Sequence, residues 1–395
     1  MIERQMSNQI LEAVNQYPVI AVTGPRQSGK TTLCRELFPD YAYSNLENPE
    51  TRQFAIEDPN GFLAQFSKPV ILDEIQRVPK LFSFIMPLVD EHKKMGEFVL
   101  SGSQNFHLQE AISQSLAGRC ATLKLLPFSF RELNQKPNHD IFALGKEVPD
   151  VPDSPGKPFD HIFRGGYPPI YDRNIKPTSW YAQYTQSYLE RDVRQLINVG
   201  DLETFERFLR LAAGRSGQLL NMNSLANDVG VSPVTVKRWI SLLSASYIIF
   251  LLKPHERNFN KRLIKTPKLY FYDTGLLCYL LGIRSAQDLE VHSQRGAIFE
   301  TYIISEFYKS AFNAGIEPPL YFWRDSQGNE IDLIIEDGEK LFPIEIKSGQ
   351  TFSGSMLEGL NYWRSLDKSD DGMLIYGGAD NYTRSLTLVR SWSAV

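Results

Sequence analysis

The sequence predicts an α/β chain with a parallel-sheet unit at its front, a helical and winged-helix middle, and a second α/β unit at its back. Three observations carry that prediction. Strand and helix patterns alternate through residues 1–130. An apolar strand, Tyr17–Thr23, enters the loop Gly24-Pro25-Arg26-Gln27-Ser28-Gly29-Lys30-Thr31, and the helical pattern Thr32–Phe38 leaves it. Residues 271–395 hold a further run in the order helix, strand, strand, strand, helix, strand.

At 395 residues the chain exceeds one ordinary core, so two or three domains are expected. We place them at 1–130, 131–220, 221–270 and 271–395, the second being a linker and helical region. The net charge of −4 gives no global attraction to a polyanion, so any nucleic-acid contact rests on a local patch. Cys34, Cys120 and Cys278 form neither a disulfide framework nor a zinc spacing. The N-terminal residues lack the apolar run of a signal peptide. The longest apolar runs, such as Tyr247–Leu252, are far too short to span a bilayer. The expectation is a cytoplasmic protein with no membrane partner.

In order along the chain, strands are expected at Tyr17–Thr23, Tyr41–Leu46, Pro69–Asp73, Glu97–Leu100 and Cys120–Leu126. Helices are expected at Pro79–Lys94 and Leu108–Ala117. The Pro- and Asp-rich stretch Lys136–Pro158 suits a loop. Residues 160–220 read as mostly helical, with a long helix from Trp180 to Ile197.

The first loop fits the pattern G-x-x-x-x-G-K-[ST], whose mechanism is readable. Glycine lets successive backbone N–H groups face a phosphate chain, and the following helix aims its N-terminus at the anion. Gly24, Pro25, Arg26, Gln27, Ser28, Gly29, Lys30, Thr31 and Thr32 would line an ATP site. Lys30 would reach the β- and γ-phosphates, and the Thr31 hydroxyl would ligate Mg²⁺. The apolar strand Val70-Ile71-Leu72 ends in Asp73-Glu74, the Walker B form. There Asp73 would hold Mg²⁺ through water, and Glu74 would polarise the attacking water. The stretch Ser101-Gly102-Ser103-Gln104-Asn105 follows the fourth strand. It offers a polar side chain to that water or to the γ-phosphate, with Ser103 as the candidate. Arg119 ends the next helix and would serve as an arginine finger, which in trans requires self-association. Taken singly, each also has a plainer reading: a strand-end acid pair, a Ser/Gly turn, a surface arginine.

Leu225–Ser232 reads as helix, tight turn and N-cap, and Ser232-Pro233 opens a second helix. Ala226, Gly230 and Val236 fall where a helix-turn-helix needs a small residue, a turn glycine and an apolar core residue. From Ser232 to Lys268 there are eight basic residues (Lys237, Arg238, Lys253, Arg257, Lys261, Arg262, Lys265 and Lys268) against one acid, Glu256. DNA is the partner such a patch would track.

In the last unit, Glu300 lies on a helix, Asp332 on a strand, and Glu345-Ile346-Lys347 on the next strand. Asp332 and Glu345 would share a divalent ion, Mg²⁺ or Mn²⁺, with Glu300 completing the set. Lys347, on the same strand face as Glu345, would orient a metal-activated water. The order of elements and the Glu…Asp…Glu-x-Lys pattern resemble the PD-(D/E)xK, restriction-endonuclease-like fold. A solvent-facing charge pair is the plainer reading.

Together, Gly24–Thr32, Leu72–Gln76, Leu100–Gln104, Leu116–Arg119, Tyr270–Leu281 and Phe299–Lys347 resemble a large prokaryotic family. Its members join an AAA-type ATPase domain to a C-terminal domain of unknown function, and Phe271–Leu277 looks like a signature of the second part. The resemblance implies an AAA+ P-loop ATPase using ATP and Mg²⁺ to drive conformational change, acting on DNA through its winged helix and nuclease-like domain. No sensor 2 arginine can be assigned. The competing reading is a nucleotide-gated binding protein whose nuclease-like domain is an inactive dock. A phosphotransferase is disfavoured.

Overall fold

The computed structural model describes residues 2–103, 115–144, 155–188, 202–257, 263–369 and 372–395. Among these, five strands form a parallel sheet: β1 (Val19–Gly24), β2 (Ala42–Asn45), β3 (Val70–Asp73), β4 (Phe98–Ser103) and β5 (Cys120–Lys124), in the order β2-β3-β4-β1-β5. Both faces are covered, which is why β1 and β3 read as unbroken apolar runs. Ile20 and Val22 face a core that continues through the rest of the molecule, while Val19 and Ala21 face a separate one with Leu72, Phe82 and Leu100. All five expected strands are present.

Two helices between β2 and β3, Pro49–Glu57 and Pro59–Ala64, were not anticipated. Each starts on a side-chain cap followed by proline. Asn48 accepts from the Glu50 and Thr51 amides, and Asp58 accepts from Gly61. The expected helix Leu108–Ala117 lies mostly outside the described residues. The helix expected from Trp180 begins earlier, at Pro177, and is described to Tyr188.

The helix-turn-helix stretch folds as the helices Met222–Val229 and Pro233–Ala245. Gly230 adopts a left-handed φ of 84° between them, and the Ser232 side chain caps the second helix at Thr235 N. Three strands flank them: β6 (Gln218–Leu219), β7 (Ile249–Pro254) and β8 (Lys268–Phe271), with β8 antiparallel to both others.

The C-terminal strands are β9 (Leu320–Arg324), β10 (Glu330–Asp337), β11 (Lys340–Lys347), β12 (Met373–Tyr376), β13 (Tyr382–Arg384) and β14 (Thr387–Ser391). The last two extend the sheet beyond the expected final strand. β7 pairs in parallel with β9, matching Lys253 to Tyr321 and Pro254 to Phe322. The second sheet therefore runs β13-β14-β12-β11-β10-β9-β7-β8-β6 without a break. The boundary placed after residue 270 cuts through it.

The two sheets meet at the chain leaving β5. Leu125 N donates to Thr23 O at 2.7 Å, and Phe128 N donates to Gly166 O at 2.7 Å. Phe130 N donates to Glu306 on the helix Arg295–Asn313 at 2.7 Å, and Lys309 from that helix reaches Phe128 O at 3.1 Å. Gly166 is needed for this approach, since a Cβ there would stand 2.3 Å from Phe128 O. Because that neighbour is backbone, Gly166→Ala should destabilise the chain by about 2–3 kcal/mol in urea unfolding. Gly296→Ala, which meets nothing within 4 Å, should be neutral or slightly stabilising.

Candidate functional site

The carboxyl edge of the first sheet gathers the residues expected around a nucleotide. Register does this: Asp73 pairs with Ser101, and Gly24 pairs with Ser103. β4 thus lies between the loop strand and the strand carrying the acids. In the loop, Gln27 and Gly29 take left-handed φ values of 61° and 94°, turning the chain into the helix Lys30–Leu37. Gly24 (φ 150°) cannot carry a side chain, since its Cβ would lie 2.1 Å from Leu125 O.

Thr31 Oγ1 lies 3.0 Å from each oxygen of Asp73. Asp73 also accepts from Ser101 and, at 2.9 Å, from Tyr43. A hydroxyl and a carboxylate meeting in this way are the donor pair Mg²⁺ takes beside a polyphosphate. Lys30 is buried and donates to the loop's own carbonyls, Gly24 O at 3.1 Å and Pro25 O at 2.7 Å. Burial, only partly offset by Glu74 and Asp73, lowers its pKa to about 8. Among the described residues the buried Ser28 hydroxyl has no hydrogen-bond partner. A cation whose partners are weak carbonyls and an unpaired donor in one loop fit a polyphosphate.

Glu74 adopts a left-handed φ of 56° and accepts from Gln76 Nε2, which also donates to Ser103 Oγ at 3.1 Å. The structure separates the serines that sequence could not: Ser101 serves Asp73, whereas Ser103 connects through Gln76 to Glu74. Gln104 and Asn105 lie outside the described residues. Gln76 had been given no role. Its signal was its place two residues after Glu74, together with Gly102, where a Cβ would lie 2.1 Å from Gln76 Oε1.

Arg119 is not at this edge. It makes a two-point ion pair with Asp90, at 2.6 and 2.9 Å, and its carbonyl accepts from Val19 N. That places it at the amino end of β1, about 17 Å of strand from Gly24. Arg119 therefore lies at the opposite end of β1 from the phosphate loop.

In the C-terminal unit, Lys347 Nζ lies 3.0 Å from Asp332 and 2.6 Å from Glu345, and Ile346 N donates to Asp332 at 2.9 Å. Burial and the neighbouring Asp332 push Glu345 up to about 9. Burial works against the Asp332 charge, but Lys347 and Lys268 hold its pKa below the usual range. Asp332, Glu345 and Lys347 are thus brought together. Glu300 is not brought into that group. Its carboxylate accepts from Lys268 at 3.1 Å and from Tyr270, and Lys268 also pairs with Glu330. Among the described residues no group of three or more His, Cys, Asp or Glu is placed to hold a metal, so the expected set of Glu300, Asp332 and Glu345 does not fit one ion.

The basic patch is smaller than its sequence count. Lys268 is buried in the carboxylate centre, Arg257 pairs with Asp367 at 2.9 Å, and Lys261 and Arg262 lie outside the described residues. Lys237, Arg238, Lys253 and Lys265 are exposed. No helix among the described residues is long and apolar enough to cross a membrane.

The helix Thr274–Leu280 begins at Asp273, whose buried carboxylate accepts from Leu276 N at 2.9 Å, Gly166 N at 2.8 Å and Tyr181 OH at 2.6 Å. The Gly165–Pro168 loop that it holds faces the phosphate loop: a Cβ on Gly29 would lie 3.8 Å from the Pro168 ring.

Comparison with known proteins matches three stretches of the chain. Residues 16–134 match an AAA domain family, residues 157–287 a domain of unknown function (DUF8612), and residues 295–393 another (DUF4143). The uncharacterized protein Rv2008c of Mycobacterium tuberculosis is 31% identical over 360 residues, covering 89% of this chain and 75% of that protein. An uncharacterized protein of Haemophilus influenzae is 24% identical over 320 residues, covering 72% of this chain and 75% of its own length. Among solved structures, the Walker-type ATPase PABY2304 of Pyrococcus abyssi is similar with a TM-score of 0.41 at 15% identity, over 71% of this chain and 96% of that one. The RuvB Holliday junction branch migration motor of Thermotoga maritima has a TM-score of 0.32 at 17% identity, over 62% and 88%. The chain belongs to the family of the mycobacterial protein Rv2008c, and its N-terminal unit is an AAA-type P-loop ATPase domain.

Proposed function

We propose that this protein hydrolyses ATP with Mg²⁺ and uses the nucleotide state to reposition its C-terminal unit on DNA. The observation that carries the ATPase reading is the convergence of Lys30, Thr31, Asp73 and the Glu74–Gln76–Ser103 chain on one sheet edge. Mg²⁺, when bound, supplies charge neutralisation at the β- and γ-phosphates. Lys30 exchanges its loop carbonyls for phosphate oxygens. Glu74 orients and deprotonates the attacking water, with Gln76 holding its carboxylate in place. Arg119, if it acts, acts on a neighbouring subunit.

DNA as partner rests on the second helix of the helix-turn-helix. Its amino end is open, with Val234 at 75% exposure, and Lys237 and Arg238 follow on the exposed side. We read β7 and β8 as the wing. A second reading, phosphodiester cleavage, is favoured by the convergence of Asp332, Glu345 and Lys347. A divalent ion held by the two carboxylates would supply a Lewis acid, and Lys347 would orient the water. The inactive dock is its competitor.

Three outcomes are expected. Glu74→Gln should bind ATP with near-normal affinity and hydrolyse it at least ~100-fold more slowly in a phosphate-release assay; unchanged turnover would remove Glu74 from the chemistry. For Lys30, only the charged form attracts phosphate, and burial holds its free-state pKa near 8. Affinity for metal-free ATP should therefore be level below pH 8 and fall up to about tenfold per unit above it, measured by calorimetry between pH 6.5 and 9.5. Lastly, labelled plasmid and linear DNA should be incubated with Mg²⁺ or Mn²⁺, with and without ATP. Cleavage lost in Lys347→Ala would establish the nuclease reading, and no cleavage under any condition would leave DNA docking.

A further inference from the structure

Lys268 is the basic residue whose position departs most from its sequence context. It sits on β8, in the hairpin that follows the helix-turn-helix, yet it is 2% exposed and its ammonium lies inside the C-terminal unit. It reaches Glu300 Oε1 at 3.1 Å and pairs with Glu330. Tyr270, two residues on and so on the same strand face, donates to the same Glu300 oxygen. Arg324 takes the other oxygen of Glu330 at 2.8 Å.

The charges divide into two groups. Glu300 and Glu330 are balanced by Lys268 and Arg324. Asp332 and Glu345 both pair directly with Lys347, and Lys268 acts on Asp332 from its place beside Glu300 and Glu330. A divalent ion arriving at Glu300 would meet no unbalanced negative charge and would confront a buried ammonium. At Asp332 and Glu345 two carboxyl groups face one directly paired lysine, so an ion there would meet a carboxyl that has no cation of its own.

We infer that Lys268 is the resident cation of this centre. It fills the place beside Glu300 that a divalent ion would take, so Glu300 is not a metal ligand and any ion is confined to Asp332 and Glu345. The hairpin strand thereby completes the C-terminal centre, and Lys268 is unavailable to DNA. The inference is independent of whether the centre cleaves DNA.

The test is Mn²⁺ binding to the nucleotide-free full chain, read as loss of the free-Mn²⁺ paramagnetic resonance signal. An Asp73→Asn background keeps the ATPase unit from contributing an ion. In that background Glu300→Gln should leave Mn²⁺ binding unchanged. Lys268→Met should add a site, and a second change, Glu300→Gln, should remove it. If Lys268→Met does not fold, Lys268→Gln, which keeps a hydrogen bond to Glu300, replaces it. A background chain that binds no Mn²⁺ agrees with the assignment at Glu300 and leaves the Lys268 variants to carry the test. Weakening by about tenfold or more in Glu300→Gln would make Glu300 a ligand and overturn the inference. So would a folded Lys268 variant with no new site. DNA cleavage by Asp332→Asn, scored separately, decides the nuclease reading alone.

Discussion

The buried carboxylate of Asp273 is the contact on which the relation between the two sheets depends. Its three donors come from separate places: the Gly166 amide in the loop beside the phosphate site, the Tyr181 hydroxyl on the helix Pro177–Tyr188, and the Leu276 amide of the helix that Asp273 itself caps. A carboxylate out of water is costly unless its lone pairs are met, so the donors and the acceptor fix one another. The glycines follow from this. A Cβ on Gly165 would stand 2.0 Å from the Tyr181 oxygen, and one on Gly275 would stand 2.3 Å from it. The segment Phe271–Leu277 thus has a physical task, which is to seat the Gly165–Pro168 loop against the phosphate loop.

From that seat, contacts run unbroken into the C-terminal unit. The chain leaving β5 touches the strand of the phosphate loop through Leu125, the glycine loop through Phe128, and the long helix through Phe130. On that helix the buried pair Glu306–Lys309, at 2.7 Å, receives Phe130 N and Phe128 O. Tyr247, at the base of the hairpin, lies 3.2 Å from Thr23 in β1. Movement of the phosphate loop on binding would therefore press on backbone that is hydrogen-bonded to the helix carrying Glu300.

Sequence revealed the first sheet well because both of its faces are buried, leaving short apolar runs bounded by turn residues. Residues in contact through register were harder. Ser101 and Ser103 are two apart on one strand and both are polar, and only the pairing of β4 between β1 and β3 shows which acid each serves. Lys268 was misplaced for a related reason. A charge count credits every lysine to the surface, yet the alternation Lys268, Leu269, Tyr270, Phe271 already put Lys268 and Tyr270 on one face. What sequence withheld was that this face meets Glu300, some thirty residues on and on a helix. The helices at Pro49 and Pro59 were legible in principle, since Asn-Pro and Asp-Pro are cap and first-turn signals.

Two buried lysines show why one site is open and the other closed. Lys30 and Lys268 are both buried, and in both desolvation is the largest influence on the ammonium. Lys30 has backbone carbonyls for partners, and its pKa falls to about 8. Lys268 has Glu300 and Glu330 with Asp332 nearby, and these more than offset burial, so its pKa rises. A depressed lysine gains when a polyanion arrives, because the incoming charge supplies what burial removed. A lysine already matched by two carboxylates gains little from a new anion, and its carboxylates gain little from a new cation. The phosphate loop is therefore built to exchange partners, and the carboxylate pair at Lys268 is built to keep the one it has.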